Sequence, residues 1–204
     1  MSIKISFKKS ILRKTYSNLV LFVDEKFNIK LIKKYILSSE FSYISDLLKT
    51  TDLKKKLLIF ELSSKKKVVL ISIKKSMKNY DIENLGAEFY GLINNAKSTE
   101  YLINSDSIVN INKNFIGHFL HGLKLKSYDF RKYKTKNETR LIKINVFGKK
   151  NNTPAKDQLK FRALEEGTFY ARDLVSEPGN VLHPDEYAKW IKSLKKYGLK
   201  INIY

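Results

Sequence analysis

Three histidines carry every imidazole in this chain, and two of them, His118 and His121, stand three residues apart. On a helix that spacing puts both on one face, where they could hold one metal ion. A zinc site needs at least three protein ligands, and no obvious third lies close by in sequence. With no His-Glu-x-x-His pattern either, the pair reads better as two polar helix positions. His183 precedes Pro184 and reads as a helix-entry residue rather than a catalytic base. No serine stands in a Gly-x-Ser-x-Gly elbow. Gly86 and Gly91 fall in a helical pattern, not in a phosphate-cradling loop, and there is no Walker or dinucleotide fingerprint. Asn137-Glu138-Thr139 matches a glycosylation sequon and reads as a chance match. The absence of Cys excludes disulfides, thiolate chemistry and Cys-based zinc. The residues themselves nominate no catalytic, metal or cofactor-binding side chain.

The charge is the other feature that could signify function. The 204 residues carry a formal net charge of +20, which fits a nucleic-acid or acidic-surface binder. Its make-up argues for a blander origin. There are 35 Lys against 5 Arg, with 21 Ile, 16 Asn and 6 Ala, the bias of AT-rich codons. A phosphate-binding surface more often uses Arg, whose planar fork grips phosphate with two bonds. The basic runs at Lys54-Lys55-Lys56 and Lys65-Lys66-Lys67 therefore read as solvated turns, with nucleic-acid binding as the alternative function. The first residues contain no unbroken apolar core of a signal peptide. The apolar run 68–73 is far shorter than the roughly 20 residues of a membrane span. The expected setting is cytoplasmic, without membrane contact.

These residues must be positioned by an α/β framework. Residues 3–7 and 18–23 read as strands, the second buried on both faces. A short helix is expected over 29–37, and a hairpin over 57–62 and 68–73 with a basic turn. Asp81 can cap a helix running to about 96, with Ile82, Leu85, Phe89 and Leu92 along one face. A short strand follows at 100–103. Asn112 can cap the next helix, which carries Ile116, Phe119, Leu120 and Leu123, and residues 139–147 close the block as a strand. Strands interleaved with helices imply a three-layer mixed α/β sheet.

A polar run over 148–154, ending in Pro154, reads as a linker. It separates a block with 31 basic and 13 acidic residues from one with 9 and 7. Beyond it, Phe161, Leu164, Thr168, Ala171 and Val175 make one helical stripe, which must end near Ser176 because Glu177-Pro178-Gly179 cannot continue it. Pro184, Asp185 and Glu186 suit a helix start. Tyr187, Trp190, Ile191 and Leu194 are its expected buried face, Gly198 its stop, and 199–204 an expected strand.

The segment 163–188 contains Ala171-Arg172-Asp173-Leu174-Val175, then Pro178, Asn180, Leu182 and Pro184. It resembles the junction of the leucyl aminopeptidase (cytosol aminopeptidase) family, where a linker helix precedes the catalytic domain. A second stretch, Ser127, Tyr128, Phe130, Tyr133, Lys134 and Thr135, resembles an earlier motif of that family. The two cover under a quarter of the chain and occur in the family's order. Ser176 stands where Asn is common and Gly179 where Ala or Pro is common.

The resemblance implies a macro-domain-like amino-terminal α/β domain over 1–150, a linker helix and turn over 151–180, and the opening of a catalytic domain over 181–204. It implies a parent metalloaminopeptidase that releases amino-terminal residues from peptides. That parent would use two divalent ions, zinc or manganese, held by a carboxy-terminal domain whose metal motif does not occur in these residues. The partners implied are that catalytic domain, peptide substrate and further copies in a homohexamer, with nucleic acid a partner that is possible but not favoured. This chain alone is expected to be inactive, serving assembly and scaffolding. The alternative is a basic nucleic-acid-binding module or a non-catalytic paralogue.

Overall fold

In the strand Asn18–Asp24, alternate side chains enter two different cores. Val20 and Phe22 join one and Leu19, Leu21 and Val23 the other. That double burial makes this strand the middle of the architecture. The computed structural model describes residues 2–8, 18–97, 99–109, 114–135, 140–148 and 153–204. In chain order the strands are β1 (Ser2–Lys8), β2 (Asn18–Asp24), β3 (Leu57–Ser63), β4 (Lys66–Ile73), β5 (Glu100–Asn104) and β6 (Leu141–Phe147). The helices are α1 (Ser38–Leu48), α2 (Asn79–Asn94), α3 (Phe115–Lys126), α4 (Ala155–Ser176) and α5 (Pro184–Ser193).

The six strands form one mixed sheet in the order β1-β6-β5-β2-β4-β3. All neighbours are parallel except the β3–β4 hairpin. The expected three-layer α/β sheet is therefore the observed one. On one face lie α2 and α3, joined by Phe22, Phe89, Phe115 and Phe119; Phe22 meets Phe115 and Phe119 edge-on, while Phe89–Phe119 is tilted and Phe115–Phe119 stacked. On the other, Ile44 of α1 and Ile32 of a 3-10 turn (Lys30–Tyr35) cover β2, β3 and β4.

Several expectations need correction. The helix expected over 29–37 is a 3-10 turn, and α1 was not anticipated. Asp81 is not the N-cap residue of α2 but caps it from inside the first turn, where its carboxylate accepts the Lys78 N–H (3.3 Å). No strand forms over 199–204, because a strand needs a partner and none of the described strands pairs with it. Leu199 and Ile203 are exposed there. Asn112, Thr139, the sequon at 137–139 and most of the linker (149–152) lie outside the described residues. Among the described residues, no helix is long and apolar enough to cross a membrane.

Candidate functional site

Helix α4 has 22 residues and therefore runs about 33 Å. It docks on α3 through one buried aromatic, Phe161. The Phe161 ring sits 5.0 Å from the His118 ring and 4.9 Å from that of His121. Each imidazole is committed elsewhere. His118 Nδ1 meets Glu83 of α2 (2.8 Å), and His121 Nδ1 meets Glu165 of α4 (3.0 Å). The i, i+3 spacing does put both histidines on one helix face. There they link three helices, and the two Nδ1 atoms face different carboxylates. Among the described residues no group of three His, Cys, Asp or Glu is placed to hold a metal. The donor set of these residues does not fit the divalent ions that the family resemblance implies.

The rotation of α4 differs from expectation. The stripe of Phe161, Leu164, Thr168, Ala171 and Val175 does not pack as a unit: Leu164 is 49% and Val175 88% exposed. The docked face instead carries Phe161, Glu165, Phe169 and Asp173, about a quarter turn away at 100° per residue. Polar contacts set that rotation. Tyr128 Oη donates to Asp173 Oδ1 (2.8 Å) while its ring lies against Phe169. The Arg172 guanidinium donates to the Leu125 carbonyl (2.7 Å) and lies over the Tyr128 ring.

At the end of α4, Glu177 is buried, with its side chain 1% exposed. It accepts hydrogen bonds from Lys132 Nζ (2.6 Å) and from the Tyr133 hydroxyl. The Lys132 ammonium also stands 5.6 Å from the Trp190 ring of α5, tying α5 to the same point. The expected buried face of α5 is only partly covered: Tyr187 is exposed, while Trp190 lies against Tyr170, whose hydroxyl donates to the Trp190 carbonyl (2.9 Å). His183 does serve as the helix-entry residue, its carbonyl accepting the Tyr187 N–H. Sequence reasoning treated Glu177 only as part of a helix stop. Its partners lie 45 and 44 residues away, so no local signal marks it.

Hydrogen bonds from Lys132 and then Tyr133 hold the Glu177 carboxyl below the usual carboxylate range. A carboxyl depressed by folding adds stability above its unfolded pKa and loses it as pH falls through the folded value. Glu177→Gln should therefore lower the melting temperature at neutral pH, and the gap should close below about pH 4. Melting curves of both proteins across pH check this; a gap that persists in acid would show that the charge is not its source.

The two motifs singled out in the sequence thus meet in space: Tyr128, Lys132 and Tyr133 grip Asp173 and Glu177. They form a mechanical junction. No family model matches the chain. A probable cytosol aminopeptidase of Ehrlichia ruminantium is 32% identical over 145 residues, 67% of this chain and 28% of that relative. Another, of Chelativorans sp., is 38% identical over 87 residues, 40% of this chain and 18% of the relative. A mutant of tomato leucine aminopeptidase has the same fold, with a TM-score of 0.73 at 14% identity, covering 97% of this chain and 43% of that one. The bottromycin maturation enzyme BotP follows at TM-score 0.63 and 14% identity, over 91% of this chain and 38% of that one. The chain thus spans well under half the length of the relatives it matches. Shared sequence and a shared mixed sheet place it together: the chain belongs to the leucyl aminopeptidase family, in that family's amino-terminal region.

Proposed function

We propose that this chain is the amino-terminal, assembly-supporting part of a metal-dependent leucyl aminopeptidase, a peptidase that releases amino-terminal residues from peptides. In this reading residues 1–150 are a scaffold domain, 151–180 the linker helix and turn, and 181–204 the opening of a catalytic domain. The hydrolytic half, its two zinc or manganese ions and the peptide site lie in that catalytic domain, and the whole assembles as a homohexamer in the cytoplasm. The observation that carries the reading is the open side of α4. Leu164 and Val175 are exposed, and no described element covers them. They offer apolar surface that a further domain could bury. The relatives' much greater length supplies a natural occupant. The deep hold on Glu177 then sets the direction in which the chain leaves the scaffold.

The purified 204-residue chain should show no turnover of a leucine amide substrate when zinc or manganese is added. Release of leucine above the buffer rate, removed by a chelator, would overturn the division of labour.

A further inference from the structure

At the opposite end of the sheet from the hairpin, β1 is an edge strand, and no described strand pairs with its outer side. Every second residue of such an edge turns its N–H and C=O outward. The Ile3 carbonyl of this strand accepts a hydrogen bond from Lys124 Nζ (3.2 Å). Beside Ile5 and Phe7 the first turns of α4 leave a cleft of about 520 Å³. Its apolar walls include Ile5, Phe7, Leu120, Leu159 and Phe161, and both Phe7 and Leu159 are exposed to it. Thr153 also lines the cleft. It is 5% exposed, and its hydroxyl has no hydrogen-bond partner.

The charges sort by face. Ile5 and Phe7 point toward the cleft, so Lys4 and Lys8 lie on the other face of the same strand, both exposed. The nearby carboxylates are already engaged, Glu165 by His121 and Glu166 by Arg162. A strand added here would place alternate side chains in the apolar cleft and the others beside two lysines. Opposite charges across such a pair are favourable, and like charges are not. Two copies of this chain pairing through β1 would set lysine against lysine, the device by which edge strands avoid self-association.

We propose that the outer edge of β1 and the cleft beneath α4 bind an extended peptide segment of alternating apolar and acidic residues as an added β-strand. Main-chain hydrogen bonds to Ile5 and Phe7 would supply affinity, and the cleft and Lys4 and Lys8 would supply selection. The surface lies apart from the Leu164–Val175 stripe and does not depend on what covers that stripe.

A fluorescein-labelled peptide of alternating Val and Glu, titrated with the whole chain at low ionic strength, tests this. Saturable binding is expected, with slowed hydrogen exchange at the Ile5 and Phe7 amides. Leu159→Asn, at an exposed position that the fold does not need, should weaken binding at least about tenfold. A Val-Lys peptide should not bind, nor should a Pro-Glu peptide of equal charge that cannot pair as a strand. Equal binding of the Pro-Glu peptide would reduce the effect to net charge and overturn the proposal. So would absence of binding, binding that leaves the Ile5 and Phe7 amides unchanged, or concentration-dependent self-association that protects those amides without peptide.

Discussion

Replacing Gly86 or Gly122 by alanine is expected to lower the melting temperature by about 10 °C, whereas Gly91→Ala should raise it slightly. The helices α2 and α3 cross at a reciprocal contact. A Cβ on Gly86 would overlap the carbonyl oxygen of Phe119, and a Cβ on Gly122 that of Glu83. In each helix the glycine follows its partner's contact residue by three positions: Glu83 and Gly86 on one, Phe119 and Gly122 on the other. The obstacle in both cases is backbone, which cannot turn away as a side chain does. The helices must separate, and Phe89, Phe119 and Leu123 would lose packing that no rotamer change restores. Overpacking costs typically about 1–3 kcal/mol, and a clash against backbone falls at the upper end of that range. Gly91 has nothing within 4 Å of an added Cβ, so alanine there brings only its better helix propensity, up to about 1 kcal/mol. The double variant Gly86→Ala, Gly122→Ala should lose less than the sum of the two, because both open the same crossing. Thermal unfolding of the four variants beside the unaltered chain checks the pattern. Equal behaviour of Gly86→Ala and Gly91→Ala would mean that the helices are not in contact there.

That contrast also shows where sequence reasoning stops. Gly86 and Gly91 look alike in the sequence, two small residues inside a helical pattern, and only the position of α3 separates them. Features set by local pattern were legible. The nearly continuous apolar run of β2 announced a strand buried on both faces, and the run 68–73 announced an arm of a hairpin. The apolar face of α2 and the pair Ser176–Pro178 announced a helix and a stop. The helix α1 was missed because four of its 11 residues are serine and only Ile44 is fully buried, so its periodicity is faint. The alternation Leu199, Ile201, Ile203 is a true strand pattern, but a strand exists only through a partner, and pairing is not a local property.

The junction divides in the same way. The helical character of α4 followed from spacing, but its rotation did not. Hydrophobic periodicity points to the face with the most apolar residues. The docked face is decided instead by Tyr128 reaching Asp173, Arg172 reaching the Leu125 carbonyl and His121 reaching Glu165, each pair more than forty residues apart. The resemblance of 127–135 and 163–188 to family motifs located the junction because those residues hold each other. Their separate spacing carries no sign of chemistry, since they perform none that the geometry shows.

Phe161→Ala should release α4 while leaving the sheet folded. Phe161 is the one residue of α4 that is buried, and its ring is flanked by both histidine rings. Removing such a side chain costs about 3–5 kcal/mol where the surroundings cannot close over the space. The other attachments of α4 are the Phe169–Tyr128 ring contact, the largely buried His121–Glu165 pair and hydrogen bonds of partly exposed side chains, and none of them fills the place of the Phe161 ring. The loss should therefore appear as local opening of α4. Hydrogen exchange of α4 amides should accelerate roughly a hundredfold or more, while β2 and β4 amides keep their protection. Leu164→Ala and Val175→Ala, on the open side of the same helix, should change stability by less than about 0.5 kcal/mol in this chain. Those two become informative only when something covers the stripe, so their effect in a longer protein would measure that contact directly. Should Phe161→Ala accelerate exchange in β2 and β4 as strongly as in α4, the helix would be part of the same cooperative unit as the sheet, and α4 could not act as a separately hinged connection.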